Sequence, residues 1–135
     1  MQPAIVFLCV HNAGRSQMAA GWARHLGGDH IHVLSGGSDP AAEVNPSAVT
    51  VMAEAGIDIT GNVPQQWAPG IIRSADIVVT MGCGDTCPVF PGVTYEDWPL
   101  PDPVGLPTSK VRPIRDVIRG RVVDLLNRLG VEATP

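Results

Sequence analysis

The chain has 135 residues, of which 44% are hydrophobic and 16% are charged, and its formal net charge is -4. This length fits one domain whose core needs no disulfide bonds, and the apolar content excludes an intrinsically disordered chain. The acidic balance argues against a nucleic-acid partner, because nucleic-acid-binding proteins present basic surfaces. We therefore expect a single domain over residues 1–135.

Strand-like and helix-like patterns alternate along the chain. Short apolar runs are typical of strands buried on both faces of a parallel sheet. They predict strands at residues 4–10, 31–34, 77–81 and 93–95. Apolar spacings of three and four, with glycine or proline near the ends, predict helices. These helices are expected at residues 16–26, 45–56 and 69–73, with a last one that starts near residue 109 and has Pro113 in its first turn.

This alternation predicts a three-layer α/β fold, with a central four-stranded parallel sheet and helices on both faces. Ligands bind such sheets at the carboxyl ends of the strands. Cys9, Ser35 and residues 81–83 fall at those ends, so we expect them to lie near one another.

The sequence also bears on the compartment. No apolar run approaches the roughly 20 residues of a membrane span. Met1 leads directly into a strand-like run rather than a signal peptide, so a cytoplasmic protein without a membrane partner is expected. The cysteines are Cys9, Cys83 and Cys87. An odd number of cysteines in such a chain favours redox or metal chemistry over a permanent disulfide framework.

The segment from Cys9 to Ser16 connects the first strand to the first helix. Such a loop presents consecutive backbone N–H groups at the positive end of a helix dipole, which makes it an anion-binding site. Arg15 adds a planar guanidinium that suits a tetrahedral oxyanion. The same environment favours the thiolate form of a cysteine such as Cys9. The expected oxyanion-binding residues are Val10, His11, Asn12, Ala13, Gly14, Arg15 and Ser16.

Two side chains inside this loop have expected supporting roles. Ser16 can donate its hydroxyl to the sulfur, and Asn12 can hold the loop's shape through backbone groups. The loop has no lysine and does not match the Gly-x4-Gly-Lys-Ser/Thr motif, which disfavours nucleotide binding. The alternative is that the loop has no function, with Cys9 an ordinary buried cysteine at a strand end and Arg15 a surface residue. The position between a buried strand and a helix favours the functional interpretation.

The motif Cys9-x5-Arg15-Ser16, together with Asp102-Pro103 late in the chain, resembles the low-molecular-weight protein tyrosine phosphatase family. Further motifs resemble its arsenate reductase branch: Ser16-Gln17-Met18-Ala19, Asn45-Pro46, residues 76–81, Cys83 and Cys87-Pro88. The resemblance covers nearly the whole chain, from residue 4 to residue 129. It implies the family's fold and an enzyme that reduces arsenate to arsenite without a cofactor, with phosphate or sulfate as competing oxyanions.

The resemblance also implies roles for particular residues. It places the nucleophile at Cys9 and the general acid at Asp102, which would protonate the departing oxygen. Asp97 is the alternative carboxylate. Arg15 belongs to the same catalytic set, as the clamp on the oxyanion.

A cysteine relay is implied as well. In this relay Cys83 displaces arsenite by attacking Cys9, and Cys87 then attacks the Cys9–Cys83 bond. The resulting Cys83–Cys87 disulfide suits thioredoxin as electron donor. A low-molecular-weight thiol with a glutaredoxin-like partner is the open alternative, and the oligomeric state is not predicted.

Several positions depart from the family's pattern. Cys83 and Cys87 are closer in sequence than in the best-known three-cysteine members. Ala20 and Gln65 stand where some relatives have acidic residues of a potassium site, and the histidines do not resemble a zinc set, so no metal is expected. Val104 stands where phosphatase members have tyrosine.

Two alternative functions follow from the same residues. One is a phosphatase acting on phosphotyrosine or small phosphate esters, which needs one cysteine and would tolerate the loss of Cys83 and Cys87. The other is a non-catalytic sensor of redox state or oxyanions, which has no need of Asp102 as a proton donor.

Overall fold

The structure is a computed structural model that describes residues 2–82 and 88–133. Its elements are β1 (Ala4–Cys9), α1 (Arg15–Gly27), a short 3-10 helix (Gly28–His30), β2 (His32–Gly37), α2 (Pro46–Glu54), α3 (Pro69–Ser74), β3 (Ile77–Thr80), β4 (Tyr95–Asp97) and α4 (Thr108–Arg128). In these two ranges, no helix combines the length and the apolar character that crossing a membrane requires.

The four strands form one parallel sheet in the order β2-β1-β3-β4. This confirms the predicted four-stranded parallel sheet. The central strand β1 pairs Cys9 with Gly37 of β2, and Leu8 with Thr80 of β3. The carboxyl ends of three strands therefore meet at one edge, directly below the loop that begins at Cys9.

Helices cover both faces of the sheet, as predicted, but unequally. On one face α1, α2 and α4 enclose the larger core, which includes Phe7 and Val79. On the other face α3 contributes Ile72 to a small cluster with Val6 and Val78. The fold therefore has three layers, and α1 packs on the face of the sheet that has the larger core.

The helix at residues 45–56 has the predicted ends. Asn45 is the N-cap of α2, and its side-chain oxygen accepts hydrogen bonds from the backbone N–H groups of Ser47 at 2.8 Å and Ala48 at 3.3 Å. Gly56, after the helix, has a φ of +82°, a conformation that glycine adopts at little cost. Capping residues therefore marked this helix correctly in the sequence.

The strand boundaries differ from the prediction by one residue at the ends of β1 and β3 and at the start of β2, and by more in two places. β2 continues to Gly37, beyond the predicted end at residue 34, because Gly37 also exchanges backbone hydrogen bonds with residues 65 and 67. β4 occupies residues 95–97 instead of 93–95, because the N–H of Val93 bonds to the carbonyl of Phe90 in a turn. Tertiary pairing, which a single apolar run does not encode, set both boundaries.

The last helix also differs in one detail. α4 begins at Thr108, so Pro113 lies inside the helix rather than in its first turn. Since proline has no N–H, the carbonyl of Ser109 loses its usual partner four residues on. The buried stripe of α4, which includes Ile114 and Ile118, keeps the helix in place despite this loss.

Candidate active site

The Cys9 sulfur lies at the carboxyl end of β1, and the residue is only 2% exposed. Its Sγ accepts a hydrogen bond from the backbone N–H of Asn12 at 3.2 Å and lies 2.8 Å from the hydroxyl oxygen of Ser16. Both groups can donate to the sulfur. Hydrogen bonds to a thiolate stabilise the charged form, which is the nucleophilic one.

Asn12 fixes the shape of the loop. It is fully buried and has a φ of +49°, a left-handed conformation that is uncommon for a residue with a side chain. Its side-chain oxygen accepts from the backbone N–H of Gln65 at 3.0 Å, and its side-chain nitrogen donates to Ser16 Oγ at 2.8 Å. These bonds offset the cost of the conformation and hold the loop curled around the sulfur.

The outer side of the loop is tied to the connection between β2 and α2. The carbonyl groups of Val10, His11 and Ala13 accept backbone hydrogen bonds from residues 39, 41 and 45 at 2.8, 3.0 and 2.8 Å. In a trans peptide unit the C=O and the following N–H point in opposite directions. The N–H groups of residues 11, 12 and 14 therefore point inward, toward the space beside the sulfur. This is a preformed anion cradle.

Arg15 connects this cradle to the segment that carries Asp102. The arginine is 7% exposed, and its Nη1 donates to the carbonyl of Leu100 at 3.1 Å. Its Nη2 lies 3.6 Å from a carboxylate oxygen of Asp102. The other carboxylate oxygen of Asp102 accepts from the N–H of Val104 at 3.0 Å, which closes a turn. Thiol, guanidinium and carboxylate thus share one site.

Two glycines leave the space that these contacts need. A Cβ at Gly14 would lie 2.5 Å from Pro103, and a Cβ at Gly82 would lie 2.2 Å from Arg15 Nη1. Gly82 also has a φ of +84°, which disfavours any other residue. The backbone after β3 therefore forms one wall of the slot that holds the guanidinium.

Comparison with known proteins agrees with this geometry. The profile of the family described as low molecular weight phosphotyrosine protein phosphatase matches residues 4–134. The chain belongs to this family. An arsenate reductase of Staphylococcus haemolyticus is 39% identical over 128 residues, which cover 92% of this chain and 96% of that protein. A protein of Halobacterium salinarum is 41% identical over 129 residues, with coverage of 92% and 91%.

A solved relative has the same fold. The thioredoxin-dependent arsenate reductase of Corynebacterium glutamicum superposes with a TM-score of 0.84 at 39% sequence identity, over 96% of this chain. The present chain spans 62% of the length of that solved protein. The family resemblance predicted from the loop motif and from Asp102-Pro103 is thereby confirmed.

The sequence prediction also included two other cysteines and an alternative acid. Cys83 and Cys87 fall at residues 83–87, outside the described residues. Asp97, the alternative acid, accepts a hydrogen bond from the hydroxyl of Thr80 at 2.8 Å. Within the described ranges, no group of three or more His, Cys, Asp and Glu side chains is arranged to hold a metal ion.

The structure adds residues that sequence reasoning missed. The buried Gln17 donates to the backbone carbonyl of Asn12 at 3.0 Å, and Asn62 donates to Gln17 at 3.0 Å. The side-chain amide of Gln65 donates to the carbonyl of Ser35 at 2.9 Å. Gln17 lies in the motif Ser16-Gln17-Met18-Ala19, but nothing in the sequence indicated its contacts with Asn12 and Asn62. The contacts of Gln65 depend on the fold as well.

A cleft of about 760 Å³ opens on the outer side of the loop. His11 and Ala13 form one wall, and Val104 and Leu106 form another. Val104 is 60% exposed. Among the described residues that line the cleft, none is Phe, Tyr or Trp, so it offers no large aromatic face beside the loop.

Proposed function

We propose that this chain reduces arsenate to arsenite, with Cys9 as the nucleophile and a Cys83/Cys87 disulfide relay that thioredoxin regenerates. The proposal rests on the position of the Cys9 sulfur, which contacts the Asn12 N–H and the Ser16 hydroxyl inside a preformed cradle. The relatives from Staphylococcus haemolyticus and Corynebacterium glutamicum, which are named arsenate reductases, support the choice of substrate.

Arsenate is a tetrahedral oxyanion that fits the cradle by charge and shape. The inward N–H groups of residues 11 and 14 would bind its oxygens at the positive end of α1, while the N–H of Asn12 donates to the sulfur. Arg15 would bind two oxygens at once through its planar fork. Phosphate and sulfate have the same shape, so we expect both to compete for this site.

The first chemical step joins Cys9 to arsenic. The thiolate attacks the arsenic atom, an S–As bond forms, and one As–O bond breaks. The departing oxygen leaves as water after it receives a proton from Asp102, which lies beside the guanidinium that holds the anion. Arsenic is still As(V) at this point, and no electron has yet come from outside.

The next two steps move electrons through the remaining cysteines. The Cys83 thiolate attacks the Cys9 sulfur, an S–S bond forms, and the electron pair of the S–As bond goes to arsenic, which leaves as arsenite. The Cys87 thiolate then attacks the Cys83 sulfur, which releases Cys9 and leaves a Cys83–Cys87 disulfide. Thioredoxin supplies the two electrons that reduce this disulfide.

Val104, two residues after Asp102, favours this reaction over phosphotyrosine hydrolysis. An aryl phosphate would gain from an aromatic side chain that stacks on its ring. Val104 stands at the edge of the cleft instead, where it offers only a small aliphatic contact. A bare inorganic oxyanion needs no such contact.

A single-turnover experiment tests the relay. Cys87→Ser should release one arsenite per enzyme and then stop with Cys9 bonded to Cys83, whereas Cys83→Ser should stop earlier, with arsenic still on Cys9. Trypsin separates the two sites, because Cys9 lies in peptide 1–15 and the other cysteines lie in peptide 74–110. Mass spectrometry without reducing agent therefore reads both outcomes.

The same variants separate the candidate functions and donors. Steady turnover of Cys87→Ser with thioredoxin would exclude the relay. If the protein is a phosphatase, replacing both Cys83 and Cys87 should leave its activity in a phosphate-ester assay unchanged. NADPH consumption with thioredoxin and thioredoxin reductase should exceed that with a low-molecular-weight thiol and glutaredoxin. The reverse order would reassign the donor.

A further inference from the structure

A line of hydrogen bonds behind the loop ends at the Cys9 sulfur. Asn62 donates to Gln17 Oε1 at 3.0 Å, and Gln17 Nε2 lies 3.2 Å from Asn12 Oδ1. Asn12 Nδ2 donates to Ser16 Oγ at 2.8 Å, and Ser16 Oγ lies 2.8 Å from the sulfur. Gln17 is 2% exposed, and Asn12 and Ser16 are fully buried. We call this line of five residues the donor chain.

Two backbone groups fix the direction of the donor chain. The N–H of Gln65 can only donate, so the atom of Asn12 that faces it must be the side-chain oxygen. The carbonyl of Asn12 can only accept, so the atom of Gln17 that faces it at 3.0 Å must be the amide nitrogen. Both amide orientations therefore follow from chemistry, and every side-chain donor points toward the sulfur.

The last link follows from this direction. Ser16 Oγ accepts a hydrogen from Asn12 Nδ2, which leaves the hydroxyl hydrogen of Ser16 free for the sulfur. Hydrogen bonds in series polarise one another, and the effect is larger in a dry interior. A chain of aligned donors thus stabilises negative charge at its end more than Ser16 would alone.

We propose that Gln17 and Asn62 are positioning residues that favour the thiolate of Cys9 by directing the donor chain toward its sulfur. Neither residue contacts the sulfur, and both act through Asn12 and Ser16. The proposal deepens the proposed function, since it takes Cys9 as the nucleophile. It also gives a reason for a buried polar side chain on α1 at a position where an apolar one would pack.

The test measures how fast the Cys9 thiolate forms and reacts. Iodoacetamide alkylation of the full chain is followed over a range of pH, and the Cys9-containing peptide 1–15 is quantified separately from peptide 74–110. Gln17→Met removes the amide at similar volume. The midpoint of its pH–rate profile should move up by about 0.5 to 1 pH unit, as expected for the loss of one buried hydrogen bond, with an unchanged rate at high pH.

The ionisable side chains around the loop are the same in every variant of this comparison. They are Arg15 on α1, His11 in the loop and Asp102 after β4, and no variant in the series replaces them. Gln66→Met is the matched control, because Gln66 is exposed and its side chain makes no hydrogen bond to another residue within 2–82 or 88–133. Its profile should coincide with that of the unmodified chain.

A second variant keeps the proposal falsifiable if Gln17→Met does not fold. Asn62→Ala removes the outer end of the chain at a half-buried site, and its midpoint should move in the same direction by a smaller amount. Affinity for inorganic phosphate should stay within about threefold in both variants, because Arg15 and the cradle N–H groups are intact.

Two results would overturn the proposal. One is a pH midpoint that does not move in a folded Gln17→Met or Asn62→Ala chain. The other is a lower rate at high pH together with weaker phosphate binding, which would indicate a purely structural role. Failure of the proposed function looks different, since the unmodified chain would then not reduce arsenate with thioredoxin while the alkylation profiles stayed as predicted.

Discussion

The anion cradle and the segment that carries Asp102 meet at Arg15, but they are built in opposite ways. In the cradle, Cys9 is 2% exposed and Asn12 is fully buried, and backbone groups from two other connections hold the loop. The Asp102 side chain is 46% exposed and depends on a turn contact and on an arginine 3.6 Å away.

This difference separates two tasks. Anion binding gains from groups that are already in place, because no reorganisation is then needed as charge develops. A proton donor must instead reach the oxygen that leaves, so limited freedom at Asp102 does no harm. Substitutions of the groups that bind the anion should therefore affect binding and chemistry together, whereas substitutions at Asp102 should affect chemistry alone.

The largest effect should come from Cys9→Ser. Because one thiolate serves every reaction of the cradle, this change should abolish arsenate reduction and any phosphatase activity at the same time. Inorganic phosphate should still bind, since Arg15 and the loop N–H groups remain. Activity above a trace in either assay would remove Cys9 from the role of nucleophile.

Asp102→Asn tests the exposed segment that supplies the proton donor. Loss of the proton donor should lower kcat for arsenate by about 100-fold or more, the range expected for general acid catalysis. Phosphate affinity should stay within about threefold, because the amide still fits the turn with Val104. A KM effect without a kcat effect would show that Asp102 binds the anion and does not protonate it.

Arg15→Lys should affect binding and chemistry together. A point charge replaces a bidentate fork and also loses the bond to the Leu100 carbonyl, so kcat/KM for arsenate should fall roughly 100-fold. Steady-state kinetics with arsenate gives both parameters. A variant within threefold of the unmodified chain would contradict the oxyanion clamp.

Gly82→Ala tests whether the wall after β3 sets the position of the guanidinium. The added Cβ would collide with Arg15 Nη1, so affinity for inorganic phosphate should fall about tenfold, equivalent to one charge-assisted hydrogen bond. Gly70→Ala is the control, because nothing lies within 4 Å of a Cβ at that helical position. Equal phosphate affinity in the two variants would exclude this role of Gly82.

The smallest effect concerns an ion pair far from the site. Hydrogen bonds from Arg112 and then Arg115 lower the pKa of Glu54 from 4.5 to about 2. The stabilisation is therefore fully present above pH 4.5 and is lost as pH falls toward 2. Glu54→Gln should lower Tm by about 1 to 4 °C at pH 7. Thermal melts should show this difference shrinking between pH 4.5 and pH 2 and at high salt; a constant difference would contradict it.

Much of the fold was readable from the sequence because its signals are local. The first strand, the cap at Asn45 and the stop at Gly56 each depend on a few neighbouring residues, and each was predicted to within one residue. The ends of β2 and β4 were not, because pairing with distant segments determines them. Pro113 was misplaced for a related reason: packing of α4 tolerates a lost hydrogen bond that a local rule penalises.

The residues of the site likewise divide into those that a local motif indicated and those that only the fold brings together. The loop motif and Asp102-Pro103 singled out Arg15 and Asp102, which the structure places 3.6 Å apart, and Cys9 at the start of the same loop as Arg15. Gln17 belongs to a motif that indicated the family, but nothing indicated that its side chain is buried, since a polar residue on a helix is ordinarily expected to face solvent. Asn62 and Gln65 lie in a connection without a motif, and only the fold shows that Asn62 reaches Gln17 and that Gln65 reaches Asn12.

The long sequence separation of the site's contacts has a consequence for how the protein folds. The bond from Gln65 to Asn12 spans 53 residues, and the bond from Arg15 to Leu100 spans 85. Contacts of this kind form late, since large loops must close before they exist. On refolding, helical circular dichroism should therefore return before phosphate binding does. A nascent chain would therefore contain Cys9 before Arg15 is held in place, because Leu100 and Asp102 are made much later.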